Sequence, residues 1–344
     1  MWNSKTLFFK FITPVEKVFP IQGLLKLSNR KLILPLFHSV NESVPPHLQY
    51  LYKVRNKKEF IYDIDTLLKL YRPIDLFELF DIIDNDKQIS KPCFHLTFDD
   101  GLSSFYDTVA PLLLEKGIPA TCFLNSSFID NKALFFRHKI SIIIDKLHRE
   151  KGSTLLWKKY HTWSIQHNLP KEYYQNQLLS IRYDQRDIID EIAGLLEIDF
   201  LKYLLETRPY MDKEQIDSLI TKGFTFGAHS IDHPEYRFIP EEDQLFQTSE
   251  SLRIITSKFK LSYRVFSFPF TDHGVHKSFF NAIFNEKIAD ISFGTAGMKR
   301  DDIKYNLQRI PAELNNLSLK EILKKEYLYY CLLKTLHKHQ IKRF

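Results

Sequence analysis

Two short stretches of the chain carry side chains able to hold an ion and move a proton. Thr97-Phe98-Asp99-Asp100-Gly101 closes the apolar run Cys93-Phe94-His95-Leu96. His229-Ser230-Ile231-Asp232-His233-Pro234 follows Gly223-Phe224-Thr225-Phe226-Gly227-Ala228. Together they supply two adjacent carboxylates and two imidazoles, the inventory of a divalent-metal hydrolase. One carboxylate oxygen and two neutral imidazoles leave open positions on a Zn²⁺-like ion for water and substrate. The other carboxylate must stay free to take a proton from that water. Adjacent residues at a strand end point in different directions, so Asp99 and Asp100 can divide these roles. His229 and His233 would share one face of a helix, but Gly227-Ala228 before them and Pro234 after them predict a strand-to-loop turn. Either stretch alone has an ordinary structural reading, a paired histidine or an Asp-Gly turn. Their joint occurrence after apolar strands points to chemistry.

The surrounding elements have the grammar needed to deliver such residues. Lys31 to His38 is an apolar run ending in a histidine, and it predicts a strand. The strand before Asp99 is followed by a helix to about Lys116 and by the strand Ala120-Thr121-Cys122-Phe123-Leu124, a βαβ unit. Helix and strand alternate again from Asp212, with strands at Phe224–Ala228, Arg264–Phe270 and Ile288–Phe293. Strand ends that repeatedly carry polar groups fit a barrel with its site on the C-terminal face. Between them, residues 130–211 have helical periodicity and many charges, which predicts a helical insertion long enough to form a lid, a substrate wall or a dimer contact. The division expected is an N-terminal arm (1–30), a barrel (31–129 and 212–315), the insertion (130–211) and a C-terminal helix (316–344).

Composition narrows the partners. The 344 residues, 44% hydrophobic and 26% charged, suit a globular chain with a large core. A net charge of +6 spread along the chain, with no recognition motif, argues against nucleic acid. Lys334 to Arg343 is the one basic run, a solvated helix end or a contact for an anionic glycan or membrane. Cys93, Cys122 and Cys331 show no CxxC spacing, so neither a disulfide framework nor a cysteine metal site is expected. No adequate signal peptide or membrane-spanning stretch is read, and the expectation is a cytoplasmic protein. The aromatic, basic first 30 residues leave peripheral membrane contact open.

The two stretches resemble the first two motifs of the polysaccharide deacetylases, the NodB-homology domain or carbohydrate esterase family 4. Phe37-His38-Ser39-Val40 is similar to that family's early Tyr-His-x-Val element. The resemblance implies an α/β fold, a distorted (β/α) barrel, and metal-dependent removal of acetyl groups from N-acetylated sugars of a surface polysaccharide or its precursor. Carried over by position, Asp99 is the base, a metal-bound water is the nucleophile, and Asp100, His229 and His233 hold the metal. Zn²⁺ is the first expectation, with Co, Ni or Mn as alternatives. The implied partner is an N-acetylated glycan or a lipid-linked sugar precursor. The third family motif, Arg-x-Pro-Tyr, is here Ser267-Phe268-Pro269-Phe270, so Ser occupies the place of the Arg that orients the base. Arg309, or Arg264, is the candidate replacement. The family's late Leu-x-Leu-x-His motif is not recognisable, and His273 is the candidate acid in its place. His38, Pro269 and Phe270 are expected to line the substrate pocket, with His38 also readable as a buried structural histidine, and a residue of Thr121–Asn125 could join its wall. The departures keep two other readings open, a silent glycan-binding protein on the same fold and an O-acyl carbohydrate esterase.

Overall fold

Strands buried on both faces read as near-continuous apolar runs, and this is what places the two motifs at the centre of the molecule. The computed structural model describes residues 4–13, 18–150, 155–169, 173–314 and 316–344. Parts of the arm expected at 1–30 (1–3 and 14–17) lie outside the described residues. The central sheet contains β1 (Pro35–Phe37), β2 (Leu96–Phe98), β3 (Ala120–Leu124), β4 (Thr225–Ala228), β5 (Val265–Ser267), β6 (Ile291–Gly294), β7 (Asn306–Gln308) and β8 (Ile310–Pro311). Every residue of β1 to β6 is buried. All pairings are parallel, in the order β7-β6-β5-β4-β3-β2-β1-β8.

The two edge strands of that order are consecutive in the chain. β7 pairs with β6, β8 pairs with β1, and only Arg309 separates them. The barrel is therefore closed by one extended segment that changes partner at Arg309. Its backbone N–H donates to the Gly294 carbonyl at 3.1 Å, and the next N–H, of Ile310, donates to Leu34 at 2.8 Å. This is the α/β barrel expected from the alternation of helices and strands, with its last strand split.

Helices pack around it. α1 (Ser4–Ile12) and α2 (Ile21–Ser28) lie on the C-terminal helix, while α3 (Lys57–Leu70) and α4 (Leu76–Asp84) precede β2. α3 is fixed by a capping box in which Asn56 and Glu59 bond each other's backbone. The helix after Asp100 opens as a wide π turn, Phe105–Val109, before α5 (Ala110–Glu115). Pro111 has no N–H to give the preceding turn and its ring crowds a tighter one, which accounts for the widening.

The segment between the two motifs folds as α6 (Phe136–Arg149), α7 (Leu155–Gln166), α8 (Tyr174–Leu179), α9 (Ile188–Leu195) and α10 (Phe200–Thr207). These helices share an apolar cluster that also takes in Leu48 and Val54 from the loop after β1. The loop after β1 thus packs into the core of the insertion. α11 (Lys213–Thr221), α12 (Glu241–Phe259) and α13 (Lys277–Asn285) complete the barrel's outer layer, and α14 (Leu319–Thr335) follows it. The chain end departs from a simple helix. Gln340–Ile341 pairs with Arg300–Asp301, and Arg343, from the basic run, is buried against Asp272 and Asp301 rather than solvated. No described helix is long and apolar enough to cross a membrane.

Candidate active site

The loops after β1, β2, β4 and β8 converge on one cavity of about 430 Å³. Its wall includes His38, Asp99, Asp100, His229, His233 and Glu313. The turn that delivers the carboxylates is tight: Asp100 has φ 72° and Gly101 has φ 64°. A side chain at 101 would be both in a disfavoured conformation and within 2.7 Å of the Leu124 side chain, which accounts for the Gly. Ser230 (φ 67°), His233 (φ 68°) and Phe270 (φ 56°) are left-handed as well. Such residues cost energy and persist where the surrounding structure holds them, a pattern common at functional sites.

Asp99 and Asp100 point to different partners. Asp99 receives both arms of Arg309, Nη1 to Oδ1 at 2.7 Å and Nη2 to Oδ2 at 2.8 Å. Ser267 bridges them, accepting from Arg309 Nη2 at 2.5 Å and donating to Asp99 Oδ1 at 3.2 Å. Arg309 is fully buried. The strand position that would carry the motif arginine holds the small Ser267, and the guanidinium enters instead from the split strand. Arg264 pairs with Asp290. Burial alone would push the Asp99 carboxyl up, but the Arg309 guanidinium outweighs it and holds Asp99 below the usual carboxylate range.

Asp100 turns toward the imidazoles. Its Oδ1 lies 3.6 Å from His229 Nε2 and 3.3 Å from His233 Nε2. His229 Nδ1 donates to the Ser267 carbonyl at 2.8 Å, so its Nε2 presents a lone pair. Desolvation lowers the His229 imidazole to about 4, against the pull of Asp99, so it is neutral at pH 7. Asp100 is likewise held ionised against its burial, first by the neighbouring His233 imidazole. Asn125 donates to the His229 carbonyl and so clamps the loop from β3 rather than lining the cavity.

This set fits a divalent cation. Asp100 Oδ1 is buried without a hydrogen-bond partner, and the ligand atoms of Asp100, His229 and His233 lie within 4.8 Å of one another. Tetrahedral bonds of ~2.0 Å require ligand–ligand edges of ~3.3 Å, near the two Asp100–histidine separations. If the three act together, His233→Ala should lower bound Zn²⁺ or Co²⁺ affinity by at least ~10-fold, measured by metal content after dialysis. Unchanged content would remove His233 from the ligand set.

His38 and Phe270 line the cavity, whereas Pro269 and His273 do not. His273 lies exposed on the turn after Phe270, so the structure does not bring the expected acid to the site. The turn faces outward because its neighbour Asp272 is drawn inward by Asn306, Gln308 and Arg343. In the cavity instead is His38, whose Nδ1 lies 2.6 Å from Glu313 Oε2, with Glu313 also accepting from the backbone of His38 and Ser39. Burial disfavours the His38 imidazolium, but the Glu313 carboxylate more than offsets it and holds the group up at about 9. Glu313 escaped the sequence reading. The available signal was its place four residues after Arg309 in an extended segment, where alternate residues face the same side.

The insertion reaches the same place. Phe135, with its ring centroid 4.2 Å from that of His233, and Arg137 and Leu179 form part of the wall. Tyr183 donates to Asp232, inside the second motif, at 2.6 Å.

The site thus combines, in a parallel α/β barrel, a buried Asp-His-His donor set able to hold a cation and a second, arginine-held aspartate beside it. A model of the polysaccharide deacetylase family matches residues 86–279, and the chain belongs to that family. The matched segment contains Asp99, Asp100, His229 and His233 but not His38, Arg309 or Glu313. Solved structures share the fold at low identity. The deacetylase PplD of Streptococcus pyogenes, solved with acetate, is 14% identical, with a TM-score of 0.54 over 86% of this chain and 98% of that one. IcaB of Ammonifex degensii is 14% identical, with a TM-score of 0.52 over 87% and 97%. A de-N-acetylase of Aggregatibacter actinomycetemcomitans is 14% identical, with a TM-score of 0.50 over 85% and 99%. No curated protein matches the chain in sequence.

Proposed function

We propose that the chain is a metal-dependent hydrolase that removes acetyl groups from N-acetylated sugars of a surface polysaccharide or its precursor. The observation that carries this is the meeting, in one cavity, of an ionised aspartate held by Arg309 and a separate Asp100-His229-His233 cluster. A divalent cation on that cluster, Zn²⁺ first, would supply Lewis acidity for the acetyl carbonyl and for water. Asp99 accepts the proton of the water that attacks the acetyl carbon. Arg309 and Ser267 keep its oxygens oriented and ionised. His38, protonated and held through Nδ1 by Glu313, has its Nε2–H available for the amide nitrogen as the C–N bond breaks. The products are acetate and a free amine. A glycan-binding protein without activity would have no need of the Asp99–Arg309 and His38–Glu313 pairs, which favours the enzyme over that reading. The aromatic wall (Tyr50, Tyr52, Phe135, Phe270) is suited to sugar-ring faces. A cytoplasmic location with peripheral membrane contact is part of this proposal, and exposed Leu7 and Phe11 beside Lys10 are the side chains suited to that contact.

Two measurements test this reading. Acetate and new amine should appear in equal amounts from N-acetylglucosamine oligomers treated with the Zn- or Co-loaded chain, and an O-acetyl ester cleaved in their place would favour the esterase. The pH profile tests the acid. A proton donor near 9 stays charged below that pH and is lost above it, so kcat/KM should fall on the alkaline side with an apparent pKa of about 9. His38→Gln should lower kcat by ~10²-fold or more and remove that limb. A similar loss in His273→Gln with His38→Gln active would return the role to His273.

A further inference from the structure

Among the described residues three buried guanidinium groups are matched by carboxylates, Arg55 by Asp63, Arg309 by Asp99, and Arg343 by Asp272 and Asp301, while half-buried Arg30, far from the cavity, rests over the Tyr330 ring. Arg137, half-buried in the first turn of α6, is different. Its Nη1 donates to the Leu179 carbonyl at 2.6 Å, and its plane lies over Phe136 and Phe270, 4.9 and 5.8 Å from their centroids. Among the described residues no carboxylate forms an ion pair with it. The carboxylate whose field reaches it, Glu235, is held by Arg237 at 2.6 Å. The first turn of α6 contains no acidic residue.

Arg137 nevertheless lines the catalytic cavity. There, Asp99 is balanced by Arg309 and Glu313 by His38, while Asp100 would be taken up by a divalent cation. Arg137 is the one cationic side chain of the cavity wall without a carboxylate partner, and it adds to the charge that a divalent cation on Asp100 would leave unbalanced. The bond to Leu179 and the two ring faces hold the guanidinium in place without satisfying all five of its donors. A fixed, partly desolvated, planar fork with donors to spare is matched by an oxyanion.

We propose that Arg137 anchors an anionic group of the substrate, so that the sugar deacetylated at this site carries a phosphate or a carboxylate near its N-acetyl group. This rests on the deacetylase reading above and narrows it to acidic glycans or sugar phosphates. The anchor contacts substrate away from the reacting carbonyl, so its effect falls mainly on KM.

The test compares three N-acetylated substrates on the full, Co-loaded chain: neutral N-acetylglucosamine oligomers, N-acetylglucosamine 1-phosphate, and an oligomer containing a lactyl carboxylate. At least one anionic substrate should exceed the neutral one in kcat/KM by about 10-fold or more, mostly through KM. Which one does so separates phosphate from carboxylate. Arg137→Gln should bring the ratio to about one, and Arg137→Lys should keep part of it. A wild-type ratio near one, or a ratio unchanged in Arg137→Gln, would overturn the proposal. If no substrate releases acetate, the deacetylase reading fails on its own, and calorimetry decides the anchor. Binding of N-acetylglucosamine 1-phosphate in preference to N-acetylglucosamine, lost in Arg137→Gln, supports it. No such preference, or one that survives the substitution, overturns it.

Discussion

Arg309→Ala should all but abolish turnover, and Ser267→Arg in the same chain should restore a measurable part of it. Removing the guanidinium leaves Asp99 buried without its paired counter-charge, with only the more distant His38 and His229 to offset it. Breaking a buried pair in this way costs ~3–5 kcal/mol, and the carboxyl would rise toward protonation and cease to act as a base. The loss should therefore appear twice, as a lower Tm and as a fall in kcat of ~10²-fold or more. Ser267 already bonds both Asp99 and Arg309. An arginine built there would enter the space that Arg309 vacates, from the strand on which the family motif carries it. Full activity in Arg309→Ala, or no recovery in the double variant with a normally folded chain, would show that the guanidinium is not exchangeable between the two strands.

Asp99→Asn is expected to give the opposite combination from His233→Ala. Asp100, His229 and His233 are untouched by it, so metal content should equal that of the wild type, while kcat should fall by ~10²–10⁴-fold as the base is lost. Metal content measured on the same samples as turnover separates the two roles. Loss of metal in Asp99→Asn would mean that both carboxylates hold the ion and that the proton acceptor lies elsewhere.

What could be read from the sequence follows from how local each determinant is. β2 and β4 lie in largely apolar runs ended by their own functional residues, so the motifs, their strands and the barrel were legible together. The insertion was legible because α6, α9 and α10 carry helical periodicity within themselves. Arg309 could be named only as a candidate, because its contact with Asp99 spans 210 positions and depends on the strand changing partner between β6 and β1. That switch has no sequence signature of its own. His273 looked suitable as an acid because it follows the degenerate third motif, but Asn306, Gln308 and Arg343 draw Asp272 inward and leave His273 outside. Arg343 itself looked like part of a solvated basic tail, and its burial is set by the pairing of Gln340–Ile341 with Arg300–Asp301. Glu313 and Arg137 carried no motif and became visible only through what they face.

The central claim is that Asp99 and the Asp100-His229-His233 cluster form one hydrolytic site. Its most direct test is acetate release from N-acetylated glycan substrates, neutral and anionic, by wild type and Asp99→Asn at matched bound metal. Release by the wild type that disappears in Asp99→Asn is the predicted result. Equal release by both proteins, or none from any substrate by a fully metal-loaded wild type, would contradict it.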